Sequence, residues 1–528
     1  VEVSVIQAKE TAVDALTKDF LDKLAGDGAP STEQRETVMR LYALAREAAG
    51  TAAIVAFFAA LREMKRASGL GYEAFGLTRE ALVDIARLHA ERDEHGVSIG
   101  GRVGRAYDVL EAANDRVETY LAQQEAVPDG EALWERMQEN AARIRSVLGM
   151  SDDDWNSFSG QLRHAINDVE TLAKCVELPQ ATIREVTRVT EKYRMRLTPY
   201  YASLIMPGVV NDPVLLQAVP TAEMVDNMGV ELPPVASDHS PARLIDQFYP
   251  RVVAVKVTNM CAMYCTHCLR IAHIGKADRV FPREAYTEAL NYIRSNSRIR
   301  DVLITGGDAF MLPNETLGWL LEQLDNIPHV QMKRLGTRVP VTTPQRVDDA
   351  LLGILAASND KSPVRVVTQV NTAQELTPVS RAAFKAISGQ VSAILNQAVL
   401  LRGINDSRPK MWKLCETLHA SYIRPYYVFN CSYRNPQYTH MRVPVEKGRD
   451  IIESMYGNIS GDAIPRYIAA AGGKIPLHRS NVVGRAEDGG LRLRKPWNGE
   501  ETVYPDADTD LYADDDHFAF ARTEGEDT

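Results

Sequence analysis

Arg251-Val252-Val253-Ala254-Val255-Lys256-Val257-Thr258 is a short β-branched run, and after Asn259 and Met260 it leads into Cys261-Ala262-Met263-Tyr264-Cys265-Thr266-His267-Cys268. The first part reads as a strand, the second as a loop at its carboxyl end. The same texture continues downstream. Asp301–Thr305, Val330–Leu335, Val364–Val370, Ala393–Leu401 and Ile423–Phe429 read as five further strands. Amphipathic stretches near 282–295, 315–326, 347–357, 381–387, 411–419 and 446–456 follow them in turn. Six strand–helix units predict an α/β fold with a parallel sheet covered by helices, either open and doubly wound or a partial barrel. In both, ligands belong at the carboxyl ends of the strands.

Working outward, the 528 residues are 45% hydrophobic and 25% charged, which excludes a disordered chain, and their number predicts two or three domains. Residues 1–145 read as a helical accessory domain. Ser31-Thr32-Glu33-Gln34 opens one helix with a capping pattern, Thr78 starts another, and Gly69-Leu70-Gly71-Tyr72 separates helices. Residues 146–240 continue with helices and end in the Pro-rich linker Glu231-Leu232-Pro233-Pro234. The core spans 241–440, its carboxyl-terminal part 441–500, and 501–528 is a partly disordered acidic tail. From Glu501 onward ten acids face one arginine, so nearly all of the net charge of −10 sits there. The rest is close to neutral and has no basic stripe, so neither nucleic acid nor an anionic membrane is expected. Ala48–Leu61 is shorter than the roughly 20 residues of a spanning helix. No leader is read at Val1-Glu2-Val3-Ser4, and six cysteines are too few for a disulfide scaffold. The expectation is a soluble, intracellular protein.

Three of those cysteines fall within eight residues. Three thiolates on a tight loop can hold three irons of a [4Fe–4S] cluster and leave the fourth open to a small molecule. Zinc with His267 or His273 is the alternative, but structural zinc sites pair a CxxC with a second ligand pair, and none is evident. Cys175, Cys415 and Cys431 are isolated and read as buried, inert residues.

The Cys-x3-Cys-x2-Cys spacing after a first strand resembles the radical S-adenosylmethionine (SAM) enzymes. That resemblance implies a partial (βα)6 barrel, with SAM on the open iron cleaved to give a 5′-deoxyadenosyl radical. It places the His267 ring against the adenine and Thr305-Gly306-Gly307-Asp308 around the SAM amino group, with Gln397 among the cofactor-binding residues. The similarity narrows to the lysine 2,3-aminomutase family, through segments spread over about 146–490. These include Met150–Asn156, Arg196–Tyr201, Asn211–Val214, Thr343–Arg346, Leu400–Asp406 and Arg424–Tyr427. The family adds pyridoxal phosphate (PLP). Ala471-Gly472-Gly473-Lys474-Ile475-Pro476 resembles the segment that carries the PLP lysine, here Lys474, although Gly-Gly-Lys alone also reads as a surface turn. Tyr249 and Arg251 are implied near PLP, and Arg270 at the substrate carboxylate. The implied reaction moves an α-amino group to Cβ, giving a β-amino acid. An electron donor such as flavodoxin or ferredoxin, a cytoplasmic location and a homo-oligomer are implied with it.

The sequence departs from that family where lysine is read. Lysine-specific members have an aspartate at the position of Ser432 and another near Tyr467, and no acid stands here. A buried ammonium without counter-ions is strongly disfavoured, so a substrate other than lysine is expected. Arg434 and Arg466 favour an acidic side chain, whereas Ser432 and Tyr467 suit a neutral or aromatic one. The Gly-rich segment is about three residues short. Val252 replaces an arginine that contacts PLP, and no cysteine follows Cys431 where lysine-specific members bind zinc. A redirected pocket would serve elimination, decarboxylation or bond cleavage. A non-catalytic zinc protein on the same scaffold is the remaining alternative.

Overall fold

Each strand of the main sheet lies beside its neighbour in sequence. In the computed structural model these are β1 (Ile245–Tyr249), β2 (Val252–Thr258), β3 (Asp301–Gly306), β4 (Met332–Gly336), β5 (Val364–Thr368), β6 (Ala393–Leu400), β7 (Arg424–Asn430), β8 (Arg466–Ala470) and β9 (Lys474–Pro476). The structure describes residues 30–47, 57, 61, 70, 72–82, 84, 117–118, 121–227, 240–269, 278, 280–434, 436–508 and 512. Strands β2 to β8 are parallel; β1 and β9 are antiparallel additions at the two edges. Helices Arg283–Ser295, Asn314–Asp325, Asp349–Asn359, Pro378–Ser388, Arg408–Ala420 and Val445–Glu453 form the crossovers. Because the order never reverses, right-handed crossovers stack all of them on one face, and the sheet is singly rather than doubly wound. The six expected strands appear within one or two residues of their predicted bounds.

Single winding makes the two faces unlike. In β2 the residues under the helices, Val253, Val255 and Val257, are buried, while Val252, Ala254 and Lys256 between them are only half-buried. β3 and β4 repeat this, with Leu303, Arg334 and Gly336 on the open face. Side-chain alternation therefore turns one face of β2, β3 and β4 into the buried side under the helices and leaves the other half-buried.

The chain divides into two compact units, residues 1–119 and 120–528. In the first, helix Thr32–Glu47 and the turn Tyr72–Phe75 bring Val38, Leu41, Phe75 and Leu77 into burial, and Thr78 Oγ1 accepts the Ala81 N–H at 3.2 Å. Most of Ala48–Leu61 and the linker 231–234 lie outside the described residues. In the second unit, position 145 falls inside helix Trp134–Leu148, whose Asn140 Nδ2 donates to the carbonyls of Ser203 and Ile205. That helix thus belongs with the sheet-bearing unit.

The segment after β9 forms a second, antiparallel sheet of β10 (Val482–Arg485), β11 (Leu491–Arg494) and β12 (Glu501–Tyr504). Strand β12 occupies the first residues of the stretch expected to be a tail. Buried Tyr504 donates to the Asn430 side chain, the Pro505 carbonyl accepts from Arg442, and Asp506 accepts the Val445 N–H at 3.0 Å. Residues 513–528 lie outside the described residues.

Helix Val445–Glu453 approaches β8 through Gly448, where a Cβ would fall 2.1 Å from Tyr467 Oη and 2.6 Å from Leu400 Cδ2. Gly448→Ala should therefore destabilise the protein by about 1–3 kcal/mol, the usual result of overpacking. A thermal melt that leaves the midpoint unmoved would remove this contact as the reason for the glycine.

Candidate functional site

The cysteine loop is pinned from both sides. The Gly307 N–H donates to Thr258 O at 2.5 Å and the Asp308 N–H to Met260 O at 2.8 Å. From the helical segment, Arg196 O and Gln217 O accept the N–H groups of Tyr264 and Thr266. Glycine is required at 307, since a Cβ would lie 2.1 Å from Met260 O. Gly306 adopts φ +126°, a conformation only glycine takes without strain. The glycine pair thus lets the end of β3 press against the start of the cysteine loop.

One cavity of about 300 Å³ results at the carboxyl ends of the strands. Cys261, Cys265, Cys268, His267, Thr305, Gly306, Gly307, Asp308 and Gln397 all line it. None of the three cysteines is joined in a disulfide among the described residues. Burial, with Asp308 and the other two thiols beside it, raises the pKa of Cys261 well above its ordinary range, so its thiolate form calls for a cationic partner. Among the described residues no three His, Cys, Asp or Glu side chains are grouped to hold a single metal ion. Three thiol side chains on one loop, all lining one cavity, are a donor set that could hold three irons of a cluster. Burial, with Arg338 nearby, pushes His267 down to about 3, so its imidazole is neutral.

Sequence reading missed the group that organises this cavity. Arg338, just past β4, donates from Nη1 to Cys265 Sγ at 2.9 Å. Its Nη2 donates to Glu375 Oε1 and Gln217 Oε1, both at 2.6 Å, and its backbone N–H to Asp308 Oδ2 at 2.6 Å. Glu375 also accepts the Tyr201 hydroxyl and the N–H groups of Asn371 and Thr372. The available signal was position alone: Arg338 follows a strand that ends at the functional face.

Lys474 opens β9 after a hairpin turn in which Gly472 and Gly473 take φ +71° and +141°. Its backbone N–H donates to Tyr249 Oη at 3.0 Å. Its Nζ lies 4.8 Å from the ring centre of Tyr427 and 5.6 Å from that of Phe429. Burial, reinforced by Arg334, pushes the amine down to about 8. A half-buried amine with a lowered pKa beside flat aromatic faces fits the lysine of a ring-bearing aldehyde cofactor. Lys474 and Tyr427 line a second cavity of about 450 Å³. Tyr427 pairs across the sheet with Gln397 of the first cavity.

Arg251 is exposed in the turn between β1 and β2. Tyr467 lines the lysine cavity, with its hydroxyl held by Asn430 Nδ2 at 2.7 Å and facing Gly448 under the helices. Ser432 is buried, and its Oγ accepts the Arg434 N–H at 3.2 Å. Arg270 and His273 lie outside the described residues.

This geometry defines an α/β protein with a cysteine-lined cavity and a lysine-bearing cavity joined across one sheet. Comparison with known proteins then gives the family. A glutamate 2,3-aminomutase of Clostridioides difficile is 35% identical over 73% of this chain and 91% of its own length. The L-lysine 2,3-aminomutase of Clostridium subterminale is 38% identical over 66% of this chain and 83% of its own, and that of Bacillus subtilis 35% identical over 71% and 79%. No family model matches the chain. The chain belongs to the 2,3-aminomutase family and is an enzyme of the isomerase class. No described helix is long and apolar enough to cross a membrane.

Two outcomes follow from the charges. Arg338→Met leaves Glu375 buried without its cation and should lower stability by about 3–5 kcal/mol, while Arg338→Met with Glu375→Gln should lose clearly less; additive losses in denaturant titrations would show the pair to be uncoupled. An amine shifted downward is neutral above its pKa, so Lys474 should be acetylated with a midpoint near pH 8, and Arg334→Leu should move that midpoint up. Peptide mass spectrometry after brief acetylation reads both values, and a midpoint near 10.5 contradicts the shift.

Proposed function

We propose that the chain is a radical SAM, PLP-dependent 2,3-aminomutase that moves the α-amino group of an amino acid other than lysine to Cβ. The singly wound sheet supports the partial (βα)6 barrel of that class. One observation carries the reading: the cysteine triplet, the Gly-Gly-Asp turn and Gln397 line one cavity, and the Lys474 amine lies over the ring of Tyr427, the cross-strand partner of Gln397.

When bound, the cluster with SAM supplies a hydrogen-abstracting radical, and PLP supplies a conjugated carrier for the migrating nitrogen. The residues of the chain do the holding. Cys261, Cys265 and Cys268 would hold three irons of the cluster, leaving one open for SAM. Asp308 keeps its carboxylate on the N–H groups of Phe310 and Arg338, which fixes the backbone of the turn against which SAM lies. Neutral His267 offers an uncharged ring to the adenine. Lys474, neutral above about pH 8, gives up and retakes its cofactor without a large change in protonation. Gln397 and Val399 face the cavity between the two groups.

The substrate side chain is acidic or neutral. Glu453, the carboxylate lining the lysine cavity, is already paired with Arg479 at 3.1 Å, and Arg466 lines the same space. Among the described residues lining that space, no unpaired carboxylate would neutralise a distal ammonium. A small cytoplasmic redox protein would supply the electron.

Anaerobic reconstitution with iron, sulfide, SAM, PLP and reductant, offered a panel of amino acids, tests this. The expected result is a β-amino acid isomer by NMR with SAM not consumed, abolished in Cys261→Ala, Cys265→Ala, Cys268→Ala and Lys474→Ala. Wild-type protein without acid-labile sulfide, or Lys474→Ala with full activity, would sink the assignment. A decarboxylated or cleaved product would redirect it to another PLP radical reaction.

A further inference from the structure

The open face of the sheet carries a concentration of cations that the proposed chemistry leaves unexplained. Arg334 of β4 and Arg365 of β5 are direct partners in the parallel register, so both project from the same face of adjacent strands. Alternation puts Arg365 on the same side as Val367 and Gln369, and Arg334 on the same side as Gly336, all of which line the cysteine cavity. The two guanidinium groups therefore stand one layer below that cavity. Like charges directly opposite one another destabilise a sheet unless something lies between them.

Only part of that charge is answered by the protein. Arg334 Nε is paired with Asp301 at 2.8 Å. Arg365 has no ion pair or hydrogen bond among the described residues, and its Nε is buried without a partner. Lys474 adds a third nitrogen close enough for Arg334 to lower its pKa. A buried, unpaired guanidinium nitrogen beside a second arginine is a forked donor set awaiting an oxyanion. Arg251 is exposed and Val252 is apolar, so the segment after Tyr249 offers no alternative inside the sheet.

We propose that Arg365, with Arg334, binds the phosphate of PLP and so sets the depth at which the cofactor ring meets Lys474. This rests on the assignment of Lys474 as the PLP lysine. The two arginines act on the cofactor's phosphate and leave the migrating nitrogen to other groups. They discriminate PLP from pyridoxal, which has the same ring and aldehyde but no phosphate.

Full-length protein titrated with PLP and with pyridoxal, followed by the absorbance of bound cofactor, tests the assignment. Arg365→Gln should weaken PLP about tenfold or more and leave pyridoxal within about twofold, and Arg365→Lys should recover part of the difference. Inorganic phosphate should compete with PLP on the wild-type protein and leave pyridoxal binding unaffected, a readout that needs no variant to fold. Equal losses for both ligands, or no loss for PLP, or no competition by phosphate, would overturn the proposal. A variant that keeps PLP affinity but loses glutamate relative to leucine would assign the cations to a substrate carboxylate and likewise overturn it. Borohydride reduction separates the two levels. If wild type yields no PLP-modified Lys474 peptide, the PLP reading itself fails; if it does and Arg365→Gln binds PLP as tightly, only the arginine assignment falls.

Discussion

The buried pair of Arg338 and Glu375 holds the functional face together. Glu375 is fully buried, and both of its oxygens are occupied: Oε1 by Arg338 and Tyr201, Oε2 by the N–H groups of Asn371 and Thr372. A buried ion pair is tolerable only when most of the remaining donors and acceptors are also satisfied; here both Glu375 oxygens and both terminal nitrogens of Arg338 are, and its Nε is not. Gln217 Oε1 serves Arg338 and Asn371 together, and Asn371 in turn accepts the Val399 N–H at its Oδ1 and the Asn405 Nδ2–H at its backbone carbonyl. The loops after β2, β4, β5 and β6 thereby share one network. None of them can shift without leaving a buried polar group unpaired, which costs about 1–3 kcal/mol for each neutral group and more for a charged one.

That network gives the cysteine loop a defined shape. Arg338 touches Asp308 through its backbone and Cys265 through its side chain, so the end of β3 and the middle of the cysteine loop are referenced to the same residue. The glycine pair presses the two segments together from the other side. Preorganisation of this kind limits how far thiolates and turn can drift apart, and it is built from groups that the cysteine motif does not contain.

Much of the fold was legible because parallel strands in a singly wound sheet are short apolar runs separated by amphipathic helices, and these signals are local. Strands β2 to β7 and their helices came out within a few residues for that reason. What escaped has a physical cause in each instance. β11 spans four residues, with Leu491 and Leu493 buried and Arg492 and Arg494 exposed, too few for a period of two to stand out. β12 begins in a stretch whose composition is acidic, and only the buried Tyr504 reveals that it packs. The Arg338 network joins residues more than a hundred positions apart, so no spacing rule reaches it. Tyr467 lines the lysine cavity as a pocket residue would, while pairing of Phe429 with Ile468 and of Tyr427 with Arg466 turns its hydroxyl toward the helices, which no local pattern announces.

The lysine environment shows which of two opposed effects governs. The register shift between β6 and β7 at Asn396 and Gln397 adds a residue to β7, and it puts Tyr426 and Tyr427 on the same side with ring centres 3.9 Å apart. Aromatic faces near an ammonium favour the charged form by about 0.5–2 kcal/mol. Bringing a lysine down to about 8 corresponds to roughly 3 kcal/mol in the opposite direction. Burial and the Arg334 charge therefore outweigh the rings, and the rings act mainly as flat walls. The bulge thus has two consequences from one inserted residue: a surface shaped for a planar group, and an apolar setting that keeps the amine beside it poised to lose its proton.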